Sequence, residues 1–340
     1  MADYADVNGA RMWYDDRGDG DPLVLLHGGF TDSRDFSGNL DVLAGRFRLL
    51  LPERRGHGHT ADVVGPITVE VMAQDTIAFL DKIVGERARL VGYSAGAIVS
   101  LWVAVRRPDL VERLVVVSAA FHPDGMILRP IADAPPPAPL VAAYAEVSPD
   151  GADHFPVVAA KIARAVAEEP GLAPTELSGV TCPTLVMAAD DDIVTLEHTL
   201  ALYRSLHDAQ LAIIPGTSHL LLHEKPEQCT RLVTDFLTTE PTPTRMPIRR
   251  AAHRPHPTDH PREEEPRRQT DEHDPEHRNL PSGLSKPAQR ALGAAGYTSL
   301  AQLTQVSEAD LGRLHGVGPR TIEQLRQALA ASGFSFATKS

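Results

Sequence analysis

The sequence predicts an α/β fold, a mostly parallel sheet flanked by helices with a small helical cap, followed by a small all-α domain. Three observations carry this expectation. Continuous apolar runs alternate with amphipathic stretches over residues 1–240. A Gly-x-Ser-x-Gly pentapeptide sits between one such run and the helical stretch after it. The composition then changes abruptly over residues 241–279 before a last helical stretch begins.

Taken in order, Pro22–Leu26 (PLVLL) is apolar at every position, as a strand buried on both faces requires. Phe47–Leu51, Ala88–Val91, Leu114–Ser118, Thr184–Ala188 and Gln210–Ile214 repeat the pattern. Helical stretches fall between them at Thr68–Val84, Ala95–Arg106, Leu196–His207 and Pro226–Leu237. Strands alternating with helices build βαβ units and a parallel sheet. Residues 121–178 break the alternation: five prolines fall between Pro130 and Pro139, and Tyr144–Val147 and Val157–Glu168 then read as helical. Their placement is that of a cap inserted above the sheet edge, the plainer alternative being two connecting helices. Phe121, Tyr144 and Phe155 are its aromatic residues, each more often core than pocket wall.

The bulk numbers bound the answer. A chain of 340 residues suffices for one large domain and something smaller, and 42% hydrophobic residues support a core. Cys182 and Cys229 form neither a CxxC pair nor a disulfide framework, so reduced thiols in a cytoplasmic protein are expected. The acidic start Met1–Asp6 lacks the basic and apolar segments of a signal peptide. No run approaches the roughly 18 apolar residues of a membrane span, so no membrane partner is expected. The net charge is −12, but residues 1–240 alone hold −15 and residues 280–340 hold +3. The acidic body argues against nucleic acid as the partner of the main domain and leaves that partner open for the tail.

Residues 241–279 hold eight prolines, five histidines and balanced charge. Such a stretch cannot bury enough apolar surface to offset its ordering entropy, and a disordered linker is expected. The histidines are irregularly spaced among prolines, so the tether reading outweighs a metal site.

The chemistry centres on Gly92-Tyr93-Ser94-Ala95-Gly96, which follows the apolar run Arg89–Val91 and opens a helix. The glycines permit a tight strand-to-helix turn that exposes the Ser94 hydroxyl. The helix N-terminus beneath it favours developing negative charge. His27-Gly28-Gly29-Phe30 ends the first apolar run, where a backbone N–H can face the substrate. With the Ala95 N–H it would form an oxyanion hole, Gly29 being the expected donor and Phe30 the alternative. His27 reads as structural. A serine needs a base, expected on a loop after a late strand. His219 fits, whereas His223 lies at the start of the next helix. The third member comes from Asp190-Asp191-Asp192, among which residue chemistry alone does not choose.

These motifs together resemble the α/β-hydrolase fold family, in its broad esterase and lactonase-like group, over residues 5–238. The family order of nucleophile, acid and histidine then implies Ser94, Asp192 and His219, the acid lying three residues past the small residue Ala189. Arg55-Gly56-His57-Gly58-His59-Thr60 resembles the family's structural RGxGxS turn, and Pro108–Val115 the approach to its sixth strand. Glu53 stands where the family usually has Asp, and Ala189 where it often has Gly. The serine at the elbow argues against the haloalkane dehalogenase and epoxide hydrolase branches. The resemblance implies acyl transfer on a small-molecule ester, thioester or lactone without metal or organic cofactor. A non-catalytic hydrolase-fold binding protein is the alternative, and the intact triad set argues against it.

In residues 280–340, Pro287–Ala295, Ser299–Leu303, Ser307–Leu314 and Arg320–Ala331 read as helical, with Ser307 as N-cap, Asp310 in the capping-box slot and Pro319 at a first helical position. Between the last two, Gly316-Val317-Gly318 would turn backbone N–H groups toward a phosphate. The segment resembles a helix-hairpin-helix unit, and more closely the C-terminal domain of the bacterial RNA polymerase α subunit. The resemblance implies hairpin roles for Gly316 and Gly318 and a DNA-facing cation at Arg320. Pro287 occupies the position of that family's main minor-groove arginine, which argues against specific promoter recognition. Weak non-specific phosphate contact, a protein-binding or structural role and, least favoured, sequence-specific DNA binding are the readings kept; Pro287 also weakens a main role for this module with the hydrolase as passenger.

Overall fold

The apolar runs pair into one eight-stranded sheet in a computed structural model that describes residues 1–132, 134–240, 245–246, 280–281, 284–297, 299–304, 306–314, 316–331 and 334–337. The expected linker 241–279, apart from Arg245 and Met246, lies outside the described residues, as does His315 beside the expected hairpin. The strands are β1 (Ala2–Val7), β2 (Ala10–Arg17), β3 (Pro22–Leu26), β4 (Arg48–Pro52), β5 (Ala88–Tyr93), β6 (Val111–Val117), β7 (Thr184–Asp191) and β8 (Ala209–Ser218). Their spatial order is β1-β2-β4-β3-β5-β6-β7-β8. From β4 to β8 every pairing is parallel, while β1–β2 and β2–β4 are antiparallel.

The β1–β2 hairpin has no counterpart among the apolar runs, because its strands are half-exposed and mix charge with apolar residues. Its turn does carry a local sequence signal. Asn8 and Gly9 both take positive φ, 43° and 78°, the two-residue turn that an Asn-Gly pair favours.

The helices are α1 (Val69–Phe79), α2 (Ala95–Arg106), α3 (Ala138–Val147), α4 (Phe155–Glu168), α5 (Pro174–Leu177), α6 (Leu196–Ser205), α7 (Leu221–Glu224) and α8 (Pro226–Thr238). Thr68 caps α1 by accepting the Val71 N–H. The expected single helix Thr68–Val84 changes character at Leu80, where a π turn runs to Val84 and Gly85 closes it at φ 73°. Strand side chains alternate between two cores, as the pleat requires. Val24, Leu50, Leu90 and Val116 meet α1, α2 and the residue 121–180 segment on one face. Leu25, Leu49, Val91, Val117 and Met187 meet α7 and α8 on the other. Helices α3, α4 and α5 stand between β6 and β7, where the cap was expected.

The described residues divide into two compact units, one within residues 1–258 and one within 259–340. The second contains α9 (Lys286–Ala294), α10 (Leu300–Leu303), α11 (Glu308–Leu311) and α12 (Pro319–Ala331), built around Leu292, Leu303, Leu311, Leu325 and Leu329. Ser307 caps α11 by accepting the Asp310 N–H. Among the described residues no helix is long and apolar enough to cross a membrane.

Candidate active site

Ser94 sits between β5 and α2 at φ 53° and ψ −117°, a conformation that costs a non-glycine residue energy and persists only where surroundings enforce it. Those surroundings are specific. The Ser94 N–H donates to the Val117 carbonyl of the neighbouring strand at 2.8 Å. A methyl group added at Gly92 would run into Ser100 and the Gly96 carbonyl, and one added at Gly96 into the Leu26 carbonyl. The two glycines of the pentapeptide are therefore demanded by close backbone approach, and the strand-turn-helix expectation is the arrangement found.

β8 delivers the histidine. His219 Nε2 lies 2.9 Å from Ser94 Oγ, and His219 Nδ1 lies 2.7 Å from Asp192 Oδ1. Tyr93 donates its hydroxyl to the His219 carbonyl at 2.9 Å, which ties the histidine's backbone to the residue preceding the serine. The Asp192 carboxyl is fully buried. Burial alone would raise its pKa, but hydrogen bonds from His219 and from Ser118 Oγ, the latter at 2.5 Å, hold it below the ordinary carboxylate range. The Ala189 and Val194 N–H groups also donate to it.

The other two aspartates point elsewhere. Asp190 accepts the Gly216 and Thr217 N–H groups, bracing the loop that carries His219, and Asp191 is exposed. His223 lies in α7, and it is His219 that meets Ser94 Oγ. Sequence reasoning missed Ser118. A lone polar residue ending an otherwise apolar strand was its signal.

Gly29 lies beside the elbow: a methyl group on it would sit 3.4 Å from the Ala95 Cβ. Ala95 opens α2, where the first N–H groups have no intrahelical acceptor. Phe30, the alternative donor, follows at φ 64°. The Gly28 N–H is engaged by Asp35 Oδ2 at 2.8 Å. The RGxGxS-like turn is structural, with Arg55 held by Asp75 through two bonds of 2.6 Å and Glu53 by Ser33 and His59.

Beyond Phe30 a cavity of about 350 Å³ opens, walled by Phe30, Ile131, Pro136, Leu140, Phe155 and Ala159. Of the three cap aromatics, Phe155 lines this space. Tyr144 packs behind it at 4.9 Å, and Phe121 stacks on His198 at 4.0 Å. Arg34 joins α3 to the loop after β3, through Glu146 at 2.6 Å and the Ala143 carbonyl at 2.7 Å. Asp62 holds α4 through Lys161 and His154.

Two buried histidines underlie this site and make stability depend on pH. Burial, reinforced by the Arg54 cation, pushes His57 down to about 3 and His27 well below its ordinary value. Both stay neutral in the folded protein, while the unfolded chain protonates them below about pH 6.5. Stability from each is complete above that pH and falls by up to about 1.4 kcal/mol per pH unit as the solution is acidified. Asp35 and Glu53, raised by burial, act with the opposite sign at lower pH. Urea midpoints should therefore drop from pH 7 to pH 5, with a shallower dependence in His57→Gln. Equal slopes in the two proteins would exclude His57 as a source.

In the C-terminal unit, Gly316 takes φ 105°, and a methyl group on it would stand 3.0 Å from the Pro287 carbonyl. Gly318 precedes α12, and Arg320 in the first turn of that helix is exposed.

The sequence model of the Alpha/beta hydrolase family matches residues 23–232, more than half of the chain. The protein named "Putative carbamate hydrolase RutD" of Caulobacter sp. (strain K31) is 31% identical over 248 residues, covering 64% of this chain and 91% of its own. The crystal structure of the enol-lactonase from Burkholderia xenovorans LB400 superposes with a TM-score of 0.59 at 25% identity, covering 70% of this chain and 100% of the lactonase. A meta-cleavage product hydrolase from Pseudomonas fluorescens IP01 (CumD) superposes at 0.58 with 19% identity, over 69% and 97% of the two chains, a likeness of fold alone.

Proposed function

The chain belongs to the alpha/beta hydrolase family, and from that premise we propose a serine hydrolase that cleaves small ester, thioester or lactone substrates by acyl-enzyme chemistry. The observation that carries this reading is the unbroken relay from Ser94 Oγ to His219 at 2.9 Å and on to Asp192 at 2.7 Å.

In this reading His219 Nε2 takes the Ser94 proton as Oγ attacks the carbonyl carbon. The Asp192 carboxylate fixes the tautomer and stabilises the imidazolium that forms. The Gly29 and Ala95 N–H groups meet the oxyanion, where preorganised donors act without reorganisation. His219 then protonates the leaving group. A water molecule, deprotonated by the same histidine, releases the acid and restores Ser94. These steps draw on no metal or organic cofactor.

Fold resemblance does not select the substrate. The walls beyond Phe30 are mostly apolar, with Arg129 their one charged member, which favours an apolar acyl group. The carbamate named for the relative of 31% identity offers the same kind of acyl centre and belongs in the same test. For the full chain, turnover of p-nitrophenyl esters should peak at an intermediate acyl length and fall for long chains, with labelling by a fluorophosphonate. Absence of both labelling and turnover, across esters, thioesters, lactones and carbamates, would exclude the proposal.

For the C-terminal helices we propose a helix-hairpin-helix module with a weak phosphate or protein contact. Gly316 at positive φ, Gly318 before Pro319 and the exposed Arg320 support it. Pro287 abuts the Gly316 turn and has no donor to offer a base edge.

A further inference from the structure

Arg54 is the largest fully buried side chain among the described residues, and the acyl-transfer steps leave it without a task. Burying a guanidinium is strongly unfavourable unless a carboxylate and a full set of acceptors compensate. Here Nε and Nη1 have no hydrogen-bond partner. Asp35 is the nearby anion, and it spends its bonds on the Gly28 N–H and on Thr31 Oγ1. The bond Arg54 does make from Nη2, at 2.7 Å, is to the Gly28 carbonyl. Burial lowers the Arg54 pKa to about 9, which leaves it charged at neutral pH.

The Gly28 carbonyl and the Gly29 N–H belong to one peptide group. That peptide is trans, so the two point in nearly opposite directions. A carbonyl held inward by Arg54 turns the Gly29 N–H away from Arg54, and Gly29 itself neighbours Ala95, a methyl group on it standing 3.4 Å from the Ala95 Cβ. His27 adds to the grip. Its Nε2 accepts the Arg54 backbone N–H at 3.2 Å, which leaves the ring proton on Nδ1, 2.8 Å from the same carbonyl oxygen. With Nδ1 protonated, the 3.1 Å approach of Arg54 Nη2 to it is proximity rather than a bond. Gly28 is thus held at both ends, its N–H by Asp35 and its C=O by Arg54 and His27. A cation on the carbonyl also polarises the peptide and makes its N–H a stronger donor, a cooperative effect that a low-dielectric interior preserves.

We propose that Arg54 is a positioning residue for catalysis: through the Gly28 carbonyl it orients and polarises the Gly28–Gly29 peptide whose N–H receives the oxyanion. The assignment rests on the serine hydrolase reading above. It accounts for an uncompensated buried cation that packing alone does not require.

The test compares wild type, Arg54→Gln and Arg54→Lys as full chains. It uses p-nitrophenyl ester turnover, inhibition by a trifluoromethyl ketone that forms a tetrahedral oxyanion on Ser94, and thermal melting. A donor lost from an oxyanion hole costs about 100-fold or more in kcat, so a weakened one should cost about 10- to 100-fold in Arg54→Gln. KM should stay within about twofold, and ketone affinity should fall in proportion to kcat, since both read the oxyanion. Arg54→Lys, which keeps the charge, should recover part of both losses. A folded Arg54→Gln with unchanged kcat and ketone affinity would overturn the assignment. Should Arg54→Gln not fold, Arg54→Met decides, since it keeps the packing and removes the charge and the donor: parallel losses of kcat and ketone affinity at constant KM support the role, and wild-type values overturn it. A wild type that neither turns over esters nor binds the ketone would instead overturn the hydrolase reading itself.

Discussion

Ser94→Ala should abolish fluorophosphonate labelling and lower kcat by about 10⁴-fold or more under the proposed mechanism, the scale on which removing a triad serine acts. The substitution deletes one oxygen and leaves the elbow in place, because the turn is held by the Val117 carbonyl and by the close approaches at Gly92 and Gly96. The melting temperature should therefore stay near that of the wild type, and the variant should still bind substrate. That separates loss of the nucleophile from loss of the fold. Labelling that survives, or turnover within tenfold of wild type, would place the nucleophile elsewhere.

Asp192→Asn should lower kcat by about 10⁴-fold under the proposed mechanism, the loss expected when a triad carboxylate becomes an amide. Asp192 accepts from His219 Nδ1 at 2.7 Å and from Ser118 Oγ at 2.5 Å. An amide can satisfy Ser118 with its oxygen, but its nitrogen then faces Nδ1 as a donor. The imidazole responds by placing its proton on Nε2, where it can no longer accept from Ser94. Asp191→Asn, at an exposed position, should leave kcat within about twofold, as surface substitutions usually do. Asp190→Asn keeps an oxygen for only one of the Gly216 and Thr217 N–H groups, which loosens the His219 loop without touching the imidazole, and should cost less than Asp192→Asn. A reversed ranking of these kcat values would move the acid to another aspartate.

The parts of the fold and site legible in the sequence share a physical reason. β3, α2 and the start of α12 fell on the expected residues because apolar runs, a strand-to-helix glycine turn and a first-turn proline are local signals. The β1–β2 hairpin escaped because its two strands, at the margin of the sheet, mix charged and apolar residues and bury one face weakly, leaving only Asn8-Gly9 to mark it. The break of α1 into a π turn at Leu80 escaped as well, since helical periodicity runs through it. Ser118, Asp35 and Arg54 escaped for another reason. Each acts through a partner between 7 and 74 residues away, and none belongs to a motif of its own.

By itself the sequence determined the alternation of strands and helices, the elbow at Ser94 and, with the family order, a histidine and an aspartate to go with it. Periodicity, glycine and chain order are properties of neighbours along the chain, and they survive without coordinates. Only the tertiary structure decided which way the three aspartates face, that Ser118 braces the one turned toward His219, and that a buried arginine grips the Gly28 carbonyl. Those are matters of direction and burial, set by how β3, β4, β6, β7 and β8 lie side by side.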